Sequence, residues 1–431
     1  MILRPKEIDR IRTVCALLRE AEKPVRIMRA LLWKPEVREK FFERGARELP
    51  EIDYPEFDPE PTLQTVKLAR RMVRSSSVID QWLRRLADAI EGGALMLSSL
   101  GTDEFHQHSV RLFGSPTDPL SDETTTCLGL AVRFNETLDK LEPASLAVDD
   151  DEMIDADEVA EQMREAVREM FGDQAPSVRV VRNLMSKALA GSQRIRIRKH
   201  SKFFHKEVAQ LIQHEAGIHI VTSLNGRAQP DLVILGAGHP GTTRTQEGLA
   251  VFAEFVSGAM DLHRLRRLAD RVFAIQMAIG GADFLDIYRY FLNRTHNENR
   301  AFDGAWRVFR GASLTGGAPL TKDIVYLDGL LRVHSFLRSS VSAGRADVVK
   351  LLFSGKIDLQ DIPALCQLAS AGLVRPPQFL PPWAQDAGYL LSYLAFSSFL
   401  NTVDLKKISC RYQEMLAEAP RVDFSAPWPA E

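Results

Sequence analysis

From Leu262 onward the apolar residues recur at helical spacing almost without a break, over about 262–280, 284–294, 298–310, 322–340, 345–354, 359–371 and 383–416. Turn pairs such as Gly280-Gly281 and Gly316-Gly317 punctuate them. A chain built this way buries its apolar stripes helix against helix, which leaves little room for a large sheet. Strand signals are few and lie upstream. Val110-Arg111-Leu112-Phe113 ends at Gly114, and Val178–Val181 and Ile195–Ile197 alternate with arginines in the period-2 pattern of half-buried strands. The expected fold is α+β, mainly helical: a small mixed sheet of these three strands within about 105–260, and a helical part over about 261–431. The strand at 195–198 is expected to offer an edge to an added peptide strand.

The first 62 residues read as a separate piece. Ile11, Val14, Cys15 and Leu18 keep a helical period, whereas Glu48 to Pro61 is acidic and carries four prolines (Pro50, Pro55, Pro59 and Pro61), the composition of an extended linker. Residues 63–431 are expected to form one domain. It opens with helices over about 63–74 and 78–96, followed by others at 124–141 and 159–171. The stretch Asp149 to Asp157 is strongly acidic and expected to be solvated. At 431 residues the chain can bury most of its surface without disulfides or a structural metal. Lys plus Arg number 55 against 57 for Asp plus Glu, so no global field draws the protein to nucleic acid or anionic lipid. Cys15, Cys127, Cys366 and Cys410 form no CxxC pair. With neither a secretory leader nor a long apolar run visible, a reducing, cytoplasmic setting is expected. Nothing in the sequence fixes an oligomeric state.

The chemistry concentrates in Gln213-His214-Glu215-Ala216-Gly217-Ile218-His219, inside a helix expected over about 203–225. Two imidazoles with a Glu beside the first is the zincin arrangement: the histidines hold Zn²⁺ and the Glu acts as general base. The usual i, i+4 spacing sets the rings about 40° apart, whereas i, i+5 on a regular α-helix separates them by about 140°. His214 and His219 share one ion only if the helix widens locally into a π-bulge, where residues five apart overlie. Gly217, unfavourable in a regular helix, falls inside that interval. Glu247, in Thr243-Arg244-Thr245-Gln246-Glu247-Gly248, is the candidate third ligand. Thr243 and Gln246 read as a capping box that places Glu247 in the first turn of the next helix. Glu254 lies two turns further on as a partner for a ligand histidine, or with the two glutamates exchanged.

Other histidines carry a weaker signal. His200 and His205 are also five apart but lack the intervening Glu, and His106 and His108 would share a strand face beside an exposed turn. For both pairs an ordinary structural role is the better reading. His239, in the Gly-rich loop 236–241, is a candidate for reaching the substrate.

His-Glu-x-x-x-His followed some thirty residues later by Gln246-Glu247-Gly248-Leu249-Ala250 resembles the QEGLA-motif family of bacteria, which includes flavohaemoglobin-expression-modulating proteins. Its eukaryotic relatives are the microtubule-associated tyrosine carboxypeptidases. The resemblance spans about residues 65 to 385 and takes in Arg307-Val308-Phe309-Arg310-Gly311, Thr321-Lys322-Asp323-Ile324-Val325-Tyr326 and Gly372-Leu373 with Pro376. It implies a zinc enzyme in which His214, His219 and Glu247 bind Zn²⁺ and Glu215 is the base. The approach Pro240 to Thr245 departs from many relatives, so the side-chain preference at the substrate end is open.

A peptidase of this kind acts on a peptide or protein C-terminus. It needs a second electrophile for the developing oxyanion, for which Tyr326, Arg310 and Lys322 are candidates, and a cation for the terminal carboxylate, for which Arg310 or Arg307 would serve. Arg244, in the approach loop, is a further substrate-side candidate. Aminopeptidase action would instead require an acidic pocket. The alternative from another class is a non-catalytic regulatory or binding protein with a structural or vacant zinc site.

Overall fold

The computed structural model describes residues 3–145, 153–182, 184–191, 193–400 and 404–417. With 66% helix against 5% strand, helix packing carries the core and the sheets act locally, in keeping with the mainly helical α+β expectation. Of the acidic stretch 149–157, residues 149–152 lie outside the described residues, while Ile154–Asp155 pair with Lys202–Phe203 as a two-stranded antiparallel ribbon.

Helix Pro240–Val256 is the spine of the fold. It is buried on most of its surface, polar residues included, and it feeds two clusters. Leu249, Phe252 and Ala253 join the core that holds Trp82, Ile195, Ile218 and Leu365, while Val251 joins the one that holds Phe105, Phe284, Phe302 and Phe309. Against it lies helix Val325–Ser342, and the two meet through bare backbone. A Cβ on Gly248 would sit 2.3 Å from the Gly329 carbonyl carbon, and one on Gly329 would sit 2.3 Å from the Arg244 carbonyl oxygen, so only glycine fits at either position. Around this pair pack helix Leu262–Ile279 and the antiparallel neighbours Phe284–Thr295 and Glu298–Phe309.

The three-stranded sheet differs from the expected one in membership and in order. Ser177–Val181 pairs in parallel with Arg194–Arg198, in the register Val178 to Ile195 and Val180 to Ile197. The third strand is Ala188–Ala190, antiparallel to Arg194–Arg198. Arg194–Arg198 is therefore the central strand, with both sides already hydrogen-bonded, and cannot add a peptide; the edges are 177–181 and 188–190. The segment 110–113 is helical, part of Asp103–Phe113, because Phe105, Ser109 and Phe113 bury at a four-residue period while Gln107 and Arg111, which a strand would place on the same face, are exposed. Gly114 at φ 84° ends that helix. His106 and His108 accordingly sit on a helix, where the His106 ring bonds the Pro319 carbonyl at 2.6 Å and His108 faces Glu104.

Helix Pro5–Glu22 packs on Glu60–Arg71 and contributes Ile11, Val14, Cys15 and Leu18, all fully buried, to the first core. Residues 49–59 form neither helix nor strand. They are tied down by Tyr54, whose hydroxyl accepts the Gly311 N–H at 3.0 Å and lies 3.2 Å from the Phe309 carbonyl. At the other end, the expected helix 383–416 is divided into Pro382–Gln385, Ala387–Leu400 and Leu405–Ala417. Among the described residues, no helix is long and apolar enough to cross a membrane.

Candidate active site

Between helices His205–Leu211 and Val221–Arg227 the chain runs as a π-helix over Ile212–Ile220. Its hydrogen bonds reach back five residues, as in the Val221 N–H to the Ala216 carbonyl, so positions five apart stack. The His214 and His219 rings consequently face each other, with centroids 4.9 Å apart at 80°. Gly217 is not required for space, because an added Cβ there meets nothing closer than 3.6 Å.

Glu247 reaches the histidines from the spine helix, though not by the expected route. Pro240 occupies the first helical turn and His239 stands at the N-cap, so the helix begins three residues before Thr243 and there is no capping box. Glu247 lies in the third turn, and Gln246 instead accepts from the Thr222 hydroxyl at 2.8 Å, which ties the spine to the segment just after the π-helix. The Glu247 carboxylate places Oε2 3.4 Å from His214 Nε2 and 3.7 Å from His219 Nε2. That oxygen is buried and has no hydrogen-bond partner.

These distances test whether a metal fits. Ligand atoms about 2.0–2.1 Å from a tetrahedral zinc stand about 3.3 Å from one another. The three donor atoms all lie within 4.8 Å of one another, with two edges close to that spacing, and an orphaned carboxylate oxygen faces the gap. His214 is also oriented as a ligand. Its Nδ1 lies 2.7 Å from Glu254 Oε1, and that carboxylate is gripped by Arg264 through Nε (2.7 Å) and Nη2 (2.8 Å). Nδ1 thus carries the hydrogen and Nε2 is left for an ion. Burial disfavours charge on His214, yet Glu247 and Glu254 outweigh it and push its pKa up to about 10. A cation bound among these carboxylates would take the place of that proton. Of the two glutamates weighed as third ligand, Glu247 is the one near both rings.

Glu215 projects beside the triad, mostly buried, and its Oε2 accepts the Ala190 N–H at 2.7 Å. The edge strand 188–190, which the sequence reading missed, therefore orients this carboxylate.

On the other flank lies a charge cluster. Tyr326 stacks on His214 with centroids 6.4 Å apart. Lys322 donates to Glu247 Oε1 at 3.1 Å and sits 5.1 Å from the Tyr326 ring centre. Burial pushes the Glu247 carboxyl up, but Lys322 and the two histidines hold it well below the usual carboxylate range. Arg307 binds Asp323 at 2.8 Å, and the fully buried Arg310 reaches Asp323 at 3.3 Å while lying over the Trp306 ring. Tyr326 and Lys322 thus belong to the immediate site, Arg307 borders it, and Arg310 is committed to Asp323. Arg244 is engaged elsewhere, paired with Asp328 at 2.8 Å and donating to the Phe113 carbonyl at 2.7 Å. His239 is 5% exposed, with both ring nitrogens unpartnered and its ring against Gly241.

Arg264, Arg271, Asp323 and Lys356 were not singled out from the sequence. Their signal was present in part: Arg264, Arg267 and Arg271 recur at three- and four-residue spacing on a helix whose Leu268, Val272 and Ile275 are buried, which turns charge toward the interior. Lys356, whose side chain passes Gly238, feels both Glu247 and Glu215, and burial lowers its pKa.

His214, His219 and Glu247 around a common gap, with Glu215 alongside, form a group of side chains that could hold a metal ion. The chain belongs to the microtubule-associated tyrosine carboxypeptidase family, which it matches over residues 39–402. The family is one of carboxypeptidases, and membership supports peptidase activity on a protein C-terminus. No curated protein matches the chain.

Proposed function

We propose that this protein is a zinc-dependent carboxypeptidase that removes a C-terminal residue from a peptide or protein, with His214, His219 and Glu247 holding the metal and Glu215 as general base. The observation that carries the reading is the convergence of His214 Nε2 and His219 Nε2 on the unpartnered Glu247 Oε2. When bound, Zn²⁺ supplies Lewis acidity that makes water nucleophilic near neutral pH. Glu215, oriented by the Ala190 N–H, takes a proton as the water oxygen bonds to the scissile carbonyl carbon. The same carboxyl returns that proton to the amine nitrogen as the C–N bond breaks, so one water is consumed and an acid and an amine are released. The Tyr326 ring, stacked on His214 and flanked by Lys322, brings a hydroxyl donor for negative charge that develops on the carbonyl oxygen. The cations around Asp323 favour a substrate carboxylate over an ammonium, and so carboxypeptidase over aminopeptidase action. Cys15 and Cys127 are buried free thiols, which suits work in the cytoplasm.

The test is metal content and hydrolysis of peptides ending in tyrosine, phenylalanine or glutamate, for wild type and Glu215→Gln. Wild type is expected to hold about one zinc per chain and to cleave at least one peptide. Glu215→Gln should keep the zinc and lose roughly 10²–10⁴ in kcat. Equal background cleavage by both proteins would overturn the enzyme reading in favour of a binding or regulatory module.

A further inference from the structure

The cations facing Asp323 are not equally satisfied. Arg307 holds it at 2.8 Å and Arg310 at 3.3 Å, while Lys322 turns to Glu247. Arg271, from helix Leu262–Ile279, gains only a 3.7 Å ion pair from Nε to Asp323 Oδ2. Among the described residues it makes no hydrogen bond within the protein, and Nη1 is buried without a partner. Its guanidinium carbon lies over the Tyr326 ring, 4.7 Å from the centre, and that ring in turn stacks on His214. The side chain is 14% exposed. A buried guanidinium with free donors is costly unless an anion arrives to accept them. Consistent with that shortage, burial and the neighbouring Arg307 lower its pKa to about 9.

Resting on the metallocarboxypeptidase reading, we infer that Arg271 is the anchor for the substrate's terminal carboxylate, with the Tyr326 ring as the platform that holds its fork toward the metal triad. Arg310, a sequence-based candidate for this role, is spent on Asp323 and Trp306. Arg307 is held by the shorter of the Asp323 contacts. Arg271 combines free donors, partial exposure and a position one ring away from His214. The planar fork matches a carboxylate through two parallel N–H bonds, which an ammonium cannot copy.

The experiment measures binding of a zinc-loaded Glu215→Gln protein to a peptide as its free C-terminal acid and as its C-terminal amide, by calorimetry, with hydrolysis by the Glu215 parent followed in parallel. The parent should bind the acid at least about 10-fold tighter than the amide. Adding Arg271→Gln should weaken acid binding about 30-fold, leave amide binding unchanged and leave the zinc content intact. Arg271→Lys, which keeps the charge in the cluster and guards against misfolding, should weaken acid binding about 5-fold. The inference is overturned if the parent shows no preference for the acid, or if both variants bind the acid as the parent does. Absence of hydrolysis alongside acid-selective, Arg271-dependent binding would sink the peptidase reading and leave the anchor standing.

Discussion

Two buried aspartates show how this protein uses charge in different ways. Asp80, 1% exposed, accepts from the Arg74 and Ser75 N–H groups at 3.1 and 2.8 Å, from the Ser75 hydroxyl at 2.9 Å and from Arg10 at 2.6 Å. Three donors meet Oδ2 and Arg10, shared with Glu7, meets Oδ1, so the cluster closes on itself and pins the start of helix Val78–Ser98 to the N-terminal helix. Asp323, 3% exposed, faces Arg307, Arg271, Arg310 and Lys322 from four directions. Burial would raise its carboxyl, but those cations hold it far below the usual range. One carboxylate cannot satisfy so many donors. The first cluster is complete without a ligand and reads as structure. The second keeps donors in reserve beside His214, His219 and Glu247, which is what a site for an anionic substrate requires.

The contrast breaks most visibly at Asp323. Asp323→Ala leaves Arg307, Arg310 and Arg271 buried without their common counter-ion and should cost about 3–5 kcal/mol, read as a drop in the urea midpoint. A loss no larger than that from Asp80→Ala would show that the cation cluster is solvated and would remove the contrast.

A second outcome concerns His239, near Lys356, which makes no ion pair or side-chain hydrogen bond among the described residues. Burial, helped by Lys356, lowers the His239 pKa from 6.5 to about 4, so the folded protein keeps the ring neutral. Between those values the unfolded chain binds more protons, so stability rises with pH across the window and is lost as pH falls from 6.5 toward 4. The contribution is about 3 kcal/mol at its largest, and His239→Gln should flatten it in urea titrations compared at pH 4.5 and pH 7. An unchanged pH slope in the variant would place positive charge on the ring in the folded state.

The smallest effect is expected at Asp80. Asp80→Ala should cost about 1–2 kcal/mol with zinc content and peptide hydrolysis unaltered, because Arg10 retains Glu7 and the freed N–H groups lie near solvent. A change in substrate affinity there would contradict its purely structural role.

Much of this arrangement was legible in the residue order. Helical period gave the C-terminal half, and the five-residue spacing of His214 and His219 required the π-helix that Ile212–Ile220 adopts. Glu254 beside His214 followed from its place two turns beyond Glu247. What failed was what depends on partners distant in sequence. The segment 110–113 alternates like a strand, yet its apolar residues belong to a helix stripe that opens at Phe105. Pro240 starts the spine helix earlier than the apparent capping box, because a proline at the first turn costs no hydrogen bond. The short strand 188–190 is three residues long, too brief to show a period, and it is the one that orients Glu215. Arg271 went unnoticed because its meaning lies in the acceptors its donors lack, and only packed coordinates reveal that.

The glycine seam between the spine helix and helix Val325–Ser342 has a consequence for how this site could diversify. Glu247 sits one residue before Gly248, and Tyr326 sits three before Gly329, so the carboxylate and the aromatic ring are mounted on rods that touch. Even a methyl group at either glycine overshoots the gap. Their separation therefore behaves as a fixed gauge that cannot be retuned in small steps, and a change of substrate preference must be written into the surrounding side chains while the rods keep their spacing.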